Sequence, residues 1–168
     1  MHMTKKERLI LINQYEILAV LKPDEADHYQ QLVKILTDGY EILYDTVDDW
    51  IDDGMSEGES RFVLDILDLY RAIEDFKRNN ESESISKHNL SHFLGFDGNN
   101  EGSYLSFARF LIEDQDKFTE QKAYFSKNDH LNSHMTMVDT YSRMLQVWSS
   151  FGRSFNLSEE QVFSILDV

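Results

Sequence analysis

The sequence predicts an all-α protein with a multihelical core and an N-terminal helical hairpin. Pro23 is the single proline in 168 residues, so helices can extend for several turns without interruption. Apolar residues recur at spacings of three and four in several segments, which is the period of a helix with one buried face. Eleven Phe, eight Tyr and two Trp supply the bulk of a core. A chain of this size buries roughly 70% of the surface that it exposes when unfolded, which is enough for an independent core.

The first helix is predicted to begin after Thr4 and to end near Leu21. Thr4 and Glu7 have the spacing of a capping box, and Pro23 stops the helix. Apolar side chains surround most of the helix axis, which is typical of a helix buried either inside its own domain or against a second subunit. In the second case, the candidate interface residues are Leu9, Ile12, Asn13 and Tyr15.

The second helix is predicted to follow at once, with Asp24 as its N-cap. Its end is expected at Asp38, with Gly39 in the left-handed conformation that commonly terminates helices. Because the connection between the two helices is short, they should form an antiparallel hairpin.

An acidic connector follows the hairpin. Residues 40–59 are rich in acids and contain no base. There we expect a turn or extended piece and then a short helix at about 47–52. The predicted division is therefore 1–55 for the hairpin with its acidic connector and 56–168 for the multihelical core, two parts that can also pack as one domain.

The helix after Ser56 has the clearest helical period in the chain. Ser56 and Glu59 form a second capping box, and the apolar period continues to about Lys77. Two exposed ion pairs are expected at i,i+4 spacing, Arg61–Asp65 and Glu74–Arg78. Further helices are predicted at 101–113, at 133–149 and after Ser158, which begins a third capping box.

The charge and composition exclude several classes of function. Acids outnumber bases 31 to 16, and a net charge of -15 disfavours nucleic acid as a direct partner, whereas an acidic surface could bind a basic protein. The absence of cysteine excludes a disulfide scaffold, a thiol nucleophile and a cysteine-ligated zinc. No apolar run is long enough to span a membrane and no signal peptide is recognised, so we expect a cytoplasmic protein. No motif indicates a cofactor.

Two histidine pairs are the candidate metal ligands. His88 and His92 are four residues apart, as are His130 and His134, which is the spacing of helical zinc sites. A catalytic zinc needs a third protein ligand and a general base, and neither pair has the His-Glu-x-x-His arrangement. The preferred interpretation is that these are surface or capping histidines, so no metal is predicted.

One loop carries oxygen ligands at alternate positions, Asp97, Asn99 and Glu101, as a calcium-binding loop does. The position of the bidentate glutamate is occupied by Ala108, however, and the residues before it have a helical pattern. We therefore prefer the interpretation that Asp97 or Asn100 caps the helix that begins near Glu101.

A polar stripe follows one face of the helix at 101–113, and its basic member is Arg109. We expect the guanidinium of Arg109 to pair with the carboxylate of Asp97 or Glu113. The alternative is that Arg109 and Arg143 together hold a small anionic ligand. The candidate ligand-binding residues are then Arg109, Arg143, Asp97 and Tyr141.

Several blocks of the sequence, taken together, resemble the YfbU family. They are Arg-Leu-Ile-Leu at 8–11 with Asn-Gln-Tyr at 13–15, Phe-Leu-Gly-Phe-Asp at 93–97, Tyr-Leu at 104–105 with Arg-Phe at 109–110, and Tyr-x-Arg-Met-Leu-x-Val-Trp at 141–148. The resemblance covers nearly the whole chain. It implies a small bacterial all-helical protein that self-associates, and it brings no catalytic residues. The histidine pairs and the acidic segment 45–59 lie outside these blocks.

The first functional hypothesis is a non-enzymatic, self-associating helical module that binds or regulates a partner. It depends on the apolar first helix and on the lack of any catalytic pattern. The alternatives are a metal-dependent, hydrolase-like enzyme and a binder of a small anion near Arg109 and Arg143. As partners we expect a second copy of the chain and a basic protein, but neither nucleic acid nor a membrane.

Overall fold

The computed structural model describes residues 2–51 and 54–168, and the protein is all-α, as predicted. Within these residues no strand forms, and extended pairing is limited to one isolated parallel bridge between Phe96 and Asn132. The chain divides into two compact units, Met1–Gly54 and Met55–Val168. None of the helices in the described ranges is long and apolar enough to cross a membrane.

The helices are distributed over the two units as follows. The first unit contains α1 (Lys5–Leu21) and α2 (Ala26–Asp38), with 3-10 segments at Pro23–Glu25 and Glu41–Val47. The second unit contains α3 (Glu57–Asn79), α4 (Glu83–Ser86), α5 (Gly102–Arg109), α6 (Val138–Ser150) and α7 (Glu159–Leu166). A π-helical segment, Phe110–Asp114, continues α5, and a 3-10 segment lies at Thr119–Tyr124.

The predicted hairpin is formed by α1 and α2. Thr4 and Glu7 make both bonds of the capping box, and Gly39 ends α2 with a φ of 74°. The guanidinium of Arg8 donates a hydrogen bond of 2.9 Å to the carbonyl oxygen of Leu36, where the helix dipole favours a positive charge. The core of this unit consists of Met3, Leu32, Leu36, Tyr44 and Val47.

Two local predictions for this unit are wrong. Asp24 does not cap α2, because the fixed φ of Pro23 starts a 3-10 turn at once and α2 then begins without a side-chain cap. The short helix expected at 47–52 is also not found in its described part, residues 47–51, since the 3-10 segment ends at Val47 and a turn follows. Tyr44 and Val47 are three residues apart, so the 3-10 period directs both into the same core. Residues 52 and 53 lie outside the described ranges.

The longest helix of the second unit is α3, and it begins with the predicted capping box of Ser56 and Glu59. Its inward face is apolar along its length, with Val63, Ile66, Leu67, Leu69, Tyr70, Ala72, Ile73 and Phe76 buried. The ion pairs of this helix differ from the prediction. Asp65 pairs with Arg153 at 2.9 Å instead of its i-4 neighbour, and Glu74 pairs with Lys77 at 2.8 Å. An exposed i,i+4 pair contributes only about 0.2–0.5 kcal/mol, so the tertiary partner of Asp65 displaces it easily, and the i+3 neighbour of Glu74 does so on the same helix.

The Phe-Leu-Gly-Phe-Asp segment at 93–97 passes through the core of this unit. The amide of Phe96 donates to the carbonyl oxygen of Leu131 at 3.0 Å, and the amide of Ser133 donates to the carbonyl oxygen of Phe96 at 3.1 Å. Gly95 has a φ of 85°, and a Cβ built there would lie 1.7 Å from the carbonyl oxygen of Leu131. Only a glycine permits this approach between the two chain segments.

Aromatic rings surround this segment and form the centre of the core. Neighbouring ring centroids lie 5.5–5.8 Å apart among Tyr70, Phe93, Phe96, Tyr104 and Tyr141. The hydroxyl of Tyr141 donates to the carbonyl oxygen of Gly95 at 3.0 Å. Burial raises the pKa of both Tyr70 and Tyr141 far above the ordinary tyrosine value, so both hydroxyls stay neutral.

The carboxylate of Glu101 caps the N-terminus of α6. This side chain is buried, and it accepts hydrogen bonds from the amides of Met137 at 2.8 Å and Val138 at 2.9 Å, and from that of Asp97 at 3.1 Å. As a result, α6 begins at Val138 and not at residue 133, as its sequence period suggests. A negative charge at this position also complements the helix dipole.

Replacing Glu101 by alanine is expected to lower the free energy of unfolding by about 3 kcal/mol, because it leaves buried amides without an acceptor. Urea unfolding followed by circular dichroism measures this loss. The exposed Glu113 provides a matched control, and its replacement by alanine should change the stability by less than about 0.5 kcal/mol. Equal effects of the two substitutions would contradict the assigned role of Glu101.

Candidate interaction surface

No residue of α1 is buried by the described part of the chain. Five of its apolar side chains are between 57% and 80% exposed, namely Leu9, Ile10, Ile17, Val20 and Leu21. The sequence allows this apolar helix to be buried either inside its own domain or against a second subunit. The structure does not bury it inside its own domain. Contiguous exposed apolar surface of this kind usually marks an interaction site.

The exposed side of α1 has the spacing of a coiled-coil seam. We define the outer face of α1 as Leu9, Ile10, Asn13, Ile17, Val20 and Leu21. Ile10, Asn13, Ile17 and Val20 follow one another at steps of three, four and three, which are the a and d positions of a heptad. The seam is thus apolar at three positions and has one amide near its middle.

A groove of about 590 Å³ lies on the outer face and is lined by Asn13, Glu16, Ile17, Val20 and Leu21. Its residues 13, 16, 17 and 20 stand at i, i+3, i+4 and i+7 on the helix. Those are the four corners of the hole that receives a side chain from a facing helix. The outer face therefore has the shape, as well as the composition, of a helix-packing surface.

The inner face of α1 packs on the core of the first unit, and it takes two of the four candidate interface residues. Ile12 and Tyr15 contact this core. The hydroxyl of Tyr15 donates to the carbonyl oxygen of Val47 at 3.2 Å, and its ring stacks on that of Tyr29 at 6.0 Å. Leu9 and Asn13, the other two candidates, are exposed on the outer face.

The charge of α1 differs from that of the rest of the chain. In a protein of net charge -15, this helix has three bases, Lys5, Lys6 and Arg8, and two acids, Glu7 and Glu16. Contact between two copies at α1 therefore avoids bringing their most acidic surfaces together. The bases lie in its first turns and Glu16 in its second half, so antiparallel contact brings opposite charges closer.

The four candidate ligand-binding residues have separate hydrogen-bond partners within the described ranges. Asp97 accepts from the amide of Asn99 at 3.0 Å and from the side chain of Asn100, so it closes a turn. Neither Asp97 nor Asn100 caps α5, which starts without a side-chain cap, so that prediction is wrong. Arg143 contacts Thr140 at 3.3 Å, and the buried Tyr141 bonds to Gly95 as described above. These contacts give no common point at which the four side chains meet.

Arg109 binds main-chain carbonyls and not the predicted carboxylates. Its Nε donates to the carbonyl oxygen of His130 at 2.7 Å, and its Nη2 donates to the carbonyl oxygen of Asp129 at 3.4 Å. Asp129, His130 and Leu131 all have left-handed φ values, between 47° and 66°. Arg109 thus holds a strained turn whose end contacts Gly95.

Neither histidine pair forms a shared ligand face. The Nδ1 atom of His88 accepts a hydrogen bond from the amide of Leu90, and its Nε2 atom lies 3.2 Å from the carboxylate of Asp167. The ring of His92 instead stacks on that of Tyr124. His130 lies against the ring of Phe125, and His134 pairs with Asp129. Across residues 2–51 and 54–168, no group of three or more histidines or acids stands close enough together to hold a metal ion.

A half-buried cluster of ionisable side chains was not expected from the sequence. Lys77 donates to Glu74 at 2.8 Å and to the hydroxyl of Tyr124 at 3.0 Å, and Tyr124 donates to Glu74 at 2.7 Å. The ring of His92 stacks on Tyr124 at 4.8 Å. Burial opposes the charge of Lys77, but its bonds to Glu74 and Tyr124 outweigh this, and the pKa of Lys77 is raised.

The stability of this cluster should depend on pH through His92. Burial, together with the charge of Lys77 and a smaller effect of Lys127, lowers the pKa of His92 despite the attraction of Glu74. The unfolded chain therefore binds a proton near pH 6.5 before the folded chain does, so stability falls as the pH drops below about 6.5. We expect His92→Phe, which keeps the stacking on Tyr124, to weaken this dependence. Thermal unfolding at several pH values measures it, and an unchanged slope would contradict the assignment.

Two similarities to known proteins extend over both units. A family model described as the YfbU domain matches residues 1–168. UPF0304 protein MJECS11 of Methanocaldococcus jannaschii is 44% identical over 168 residues, which cover 98% of this chain and 99% of that protein. The similarity therefore includes α1 as well as the larger helical core.

Proposed function

The chain belongs to the YfbU family, and from this premise we propose that it is a self-associating helical module without a catalytic role, which binds or regulates a partner. In this proposal the outer face of α1 packs against the same face of a second copy. The observation that carries the proposal is the exposed heptad seam Ile10, Asn13, Ile17 and Val20.

The apolar area of the outer face is sufficient for such a contact. Complete burial of a Val, Leu or Ile side chain contributes about 1.5–3 kcal/mol, so the five partly exposed side chains provide on the order of 5–10 kcal/mol per copy. Association costs about 4–15 kcal/mol in lost translational and rotational freedom. The gain from two copies therefore exceeds the cost over most of this range.

The position of the one polar residue favours an antiparallel contact. Asn13 is the middle residue of α1 (Lys5–Leu21). In a symmetric pair, a two-fold axis beside Asn13 buries the greatest length of both helices. The two Asn13 amides then hydrogen-bond to each other, and Leu9 of one copy faces Ile17 of the second. A single buried amide of this kind fixes the register of helix pairs.

The non-catalytic part of the proposal is supported by how the candidate side chains are used. Arg109 holds the left-handed turn at 129–131, and Asp97 closes its own turn. Glu101 caps α6. Each of these polar groups stabilises the fold directly, which accounts for its presence without a substrate.

Because the chain contains no cysteine, one introduced thiol can test the contact. We expect Asn13→Cys to give a covalent dimer under mild oxidation, since a disulfide forms where two Cα atoms approach within about 4.4–6.8 Å. Ile42→Cys is the matched control, because Ile42 is 90% exposed but lies outside α1. Non-reducing electrophoresis measures the cross-link. Failure of Asn13→Cys to cross-link, or equal cross-linking of both variants, would contradict the proposed packing.

A further inference from the structure

We propose that a pocket on the inner side of the hairpin binds an organic cation, such as a quaternary ammonium group or a methylated lysine side chain. The pocket has a volume of about 580 Å³ and lies within the first unit, between α1, α2 and the residues that follow the 3-10 segment. We call it the aromatic pocket, and its rings are those of Tyr15, Tyr29 and Trp50. This site is separate from the outer face of α1 and does not depend on self-association.

Three aromatic rings give the pocket the surface that cations prefer. Tyr15 and Tyr29 both line the pocket and are stacked at 6.0 Å with an angle of 20° between their planes, so each ring supports the other. The indole of Trp50 lines the pocket and is also 78% exposed, which leaves it free to cover a ligand. A cation over the face of Trp or Tyr is attracted by the ring quadrupole, and cages of such rings recognise methylated ammonium groups.

The walls are held in place by hydrogen bonds before any ligand enters. The hydroxyl of Tyr15 donates to the carbonyl oxygen of Val47 at 3.2 Å. The hydroxyl of Tyr29 donates to the carboxylate of Glu25 at 2.8 Å. Leu18 and Leu32 supply an apolar lining, which suits the methyl groups of an alkylated cation. Because this arrangement is already formed, little ordering cost remains for binding.

The charges around the pocket select a cation over an anion. Asp49 lines the pocket, and within the described ranges its side chain makes neither an ion pair nor a hydrogen bond. Lys22 and His28 also line the pocket, but the ammonium of Lys22 lies 3.5 Å from the carboxylate of Glu25, so these two charges offset each other and Asp49 supplies the remaining negative charge. Burial raises the pKa of the neighbouring Tyr15, and the negative charge of Asp48 raises it further. The net charge of the whole chain acts in the same direction.

The size of the pocket also fits a small organic group. Ligand sites typically have volumes of about 300–1,000 Å³, and the aromatic pocket lies within that range. The same chemistry is found in a free quaternary amine and in a methylated lysine on a basic protein. Binding experiments with both sources therefore decide which of them the pocket takes.

The fluorescence of Trp50 provides a direct test on the intact protein. The second tryptophan, Trp148, is only 2% exposed and its indole donates to Ser154, so a ligand-dependent change reports on Trp50. We expect choline, added at constant ionic strength, to change this fluorescence with saturation below about 10 mM. The neutral isostere of choline, with carbon in place of the ammonium nitrogen, should bind at least about fivefold more weakly. No saturable change, or equal binding of the isostere, would overturn the proposal.

Two variants and one control test the residues of the pocket by calorimetry. Asp49→Asn should weaken binding about fivefold, and Trp50→Ala about tenfold, without a change in melting temperature because both side chains are exposed. Asp27→Asn removes the same charge from an exposed position of α2 outside the pocket and should leave binding unchanged. Equal weakening by Asp49→Asn and Asp27→Asn would refute a specific site.

A peptide experiment identifies the source of the cation. One peptide carries a single trimethyllysine, and the matched peptide carries an unmodified lysine in its place. Saturable binding of the trimethyllysine peptide in preference to its match supports a modified protein as the ligand. Binding of choline alone supports a free amine. Equal binding of both peptides would contradict a role for the aromatic rings, because charge alone would then account for it.

Discussion

Replacing Gly95 by alanine should lower the free energy of unfolding by about 4 kcal/mol, the largest loss that we expect from a single methyl group in this protein. The added Cβ would lie 1.7 Å from the carbonyl oxygen of Leu131. That oxygen cannot move alone, since it accepts the amide of Phe96, and the carbonyl oxygen of Gly95 accepts the Tyr141 hydroxyl. The strain therefore spreads into the aromatic core.

A second glycine provides the control for Gly95→Ala. Gly58 lies in α3, and the nearest atom to a Cβ built there is the Ser56 hydroxyl oxygen at 4.0 Å. Gly58→Ala should therefore stabilise the protein by about 0.5–1 kcal/mol through helix propensity. Urea unfolding followed by circular dichroism measures both variants. A loss below about 1 kcal/mol for Gly95→Ala would show that the two segments can separate at little cost.

Replacing Ile17 by aspartate should dissociate the proposed pair of α1 helices. Ile17 occupies the centre of the exposed seam and lines the groove on the outer face. Association would bury one unpaired carboxylate per copy at a cost of several kcal/mol, which raises Kd at least about a thousandfold. Because Ile17 is more than half exposed, the substitution leaves the fold of the hairpin intact. Light scattering during gel filtration measures the resulting mass.

The control for Ile17→Asp is Ile42→Asp, which introduces the same charge at an apolar residue that is more exposed and lies outside α1. It should leave the mass in solution unchanged. Circular dichroism is expected to show equal helix content for both variants and the parent. If the two substitutions changed the mass equally, a general effect of added charge would replace the proposed role of the outer face.

Features that depend on neighbouring residues were predictable from the sequence. The capping boxes at Thr4, Ser56 and Ser158 each join residues three positions apart, so their pattern can be read locally. The end of α2 at Gly39 follows from the ease with which glycine adopts a positive φ. The sequence also predicts the apolar character of α1, but it leaves open whether the helix is buried inside its own domain or against a second subunit.

Features that depend on distant residues were not predictable. The start of α6 is set by Glu101, which is 36 residues before Met137 in the sequence. Arg109 binds carbonyl groups, which every residue has, so no pattern in the sequence identifies the turn at 129–131 as its partner. The cluster of Lys77, Glu74 and Tyr124 likewise joins segments that only the fold brings together.

The aromatic pocket shows the same limit at the proposed cation site. In the sequence, Trp50 lies in the acidic connector, whereas Tyr15 lies in the first helix. Only the hairpin brings these side chains to one cavity. The signal available in the sequence was an aromatic residue within an acidic, base-free segment, which is consistent with a cationic ligand but does not locate its site.

The most direct measurement of the central claim is the mass of the unmodified protein by sedimentation equilibrium, from about 1 to 100 µM. One copy of the chain has a mass of 19.8 kDa. We predict a mass of two copies, or a whole multiple of that, because the outer face of α1 pairs with itself. A mass of 19.8 kDa over the whole range would contradict self-association through this helix.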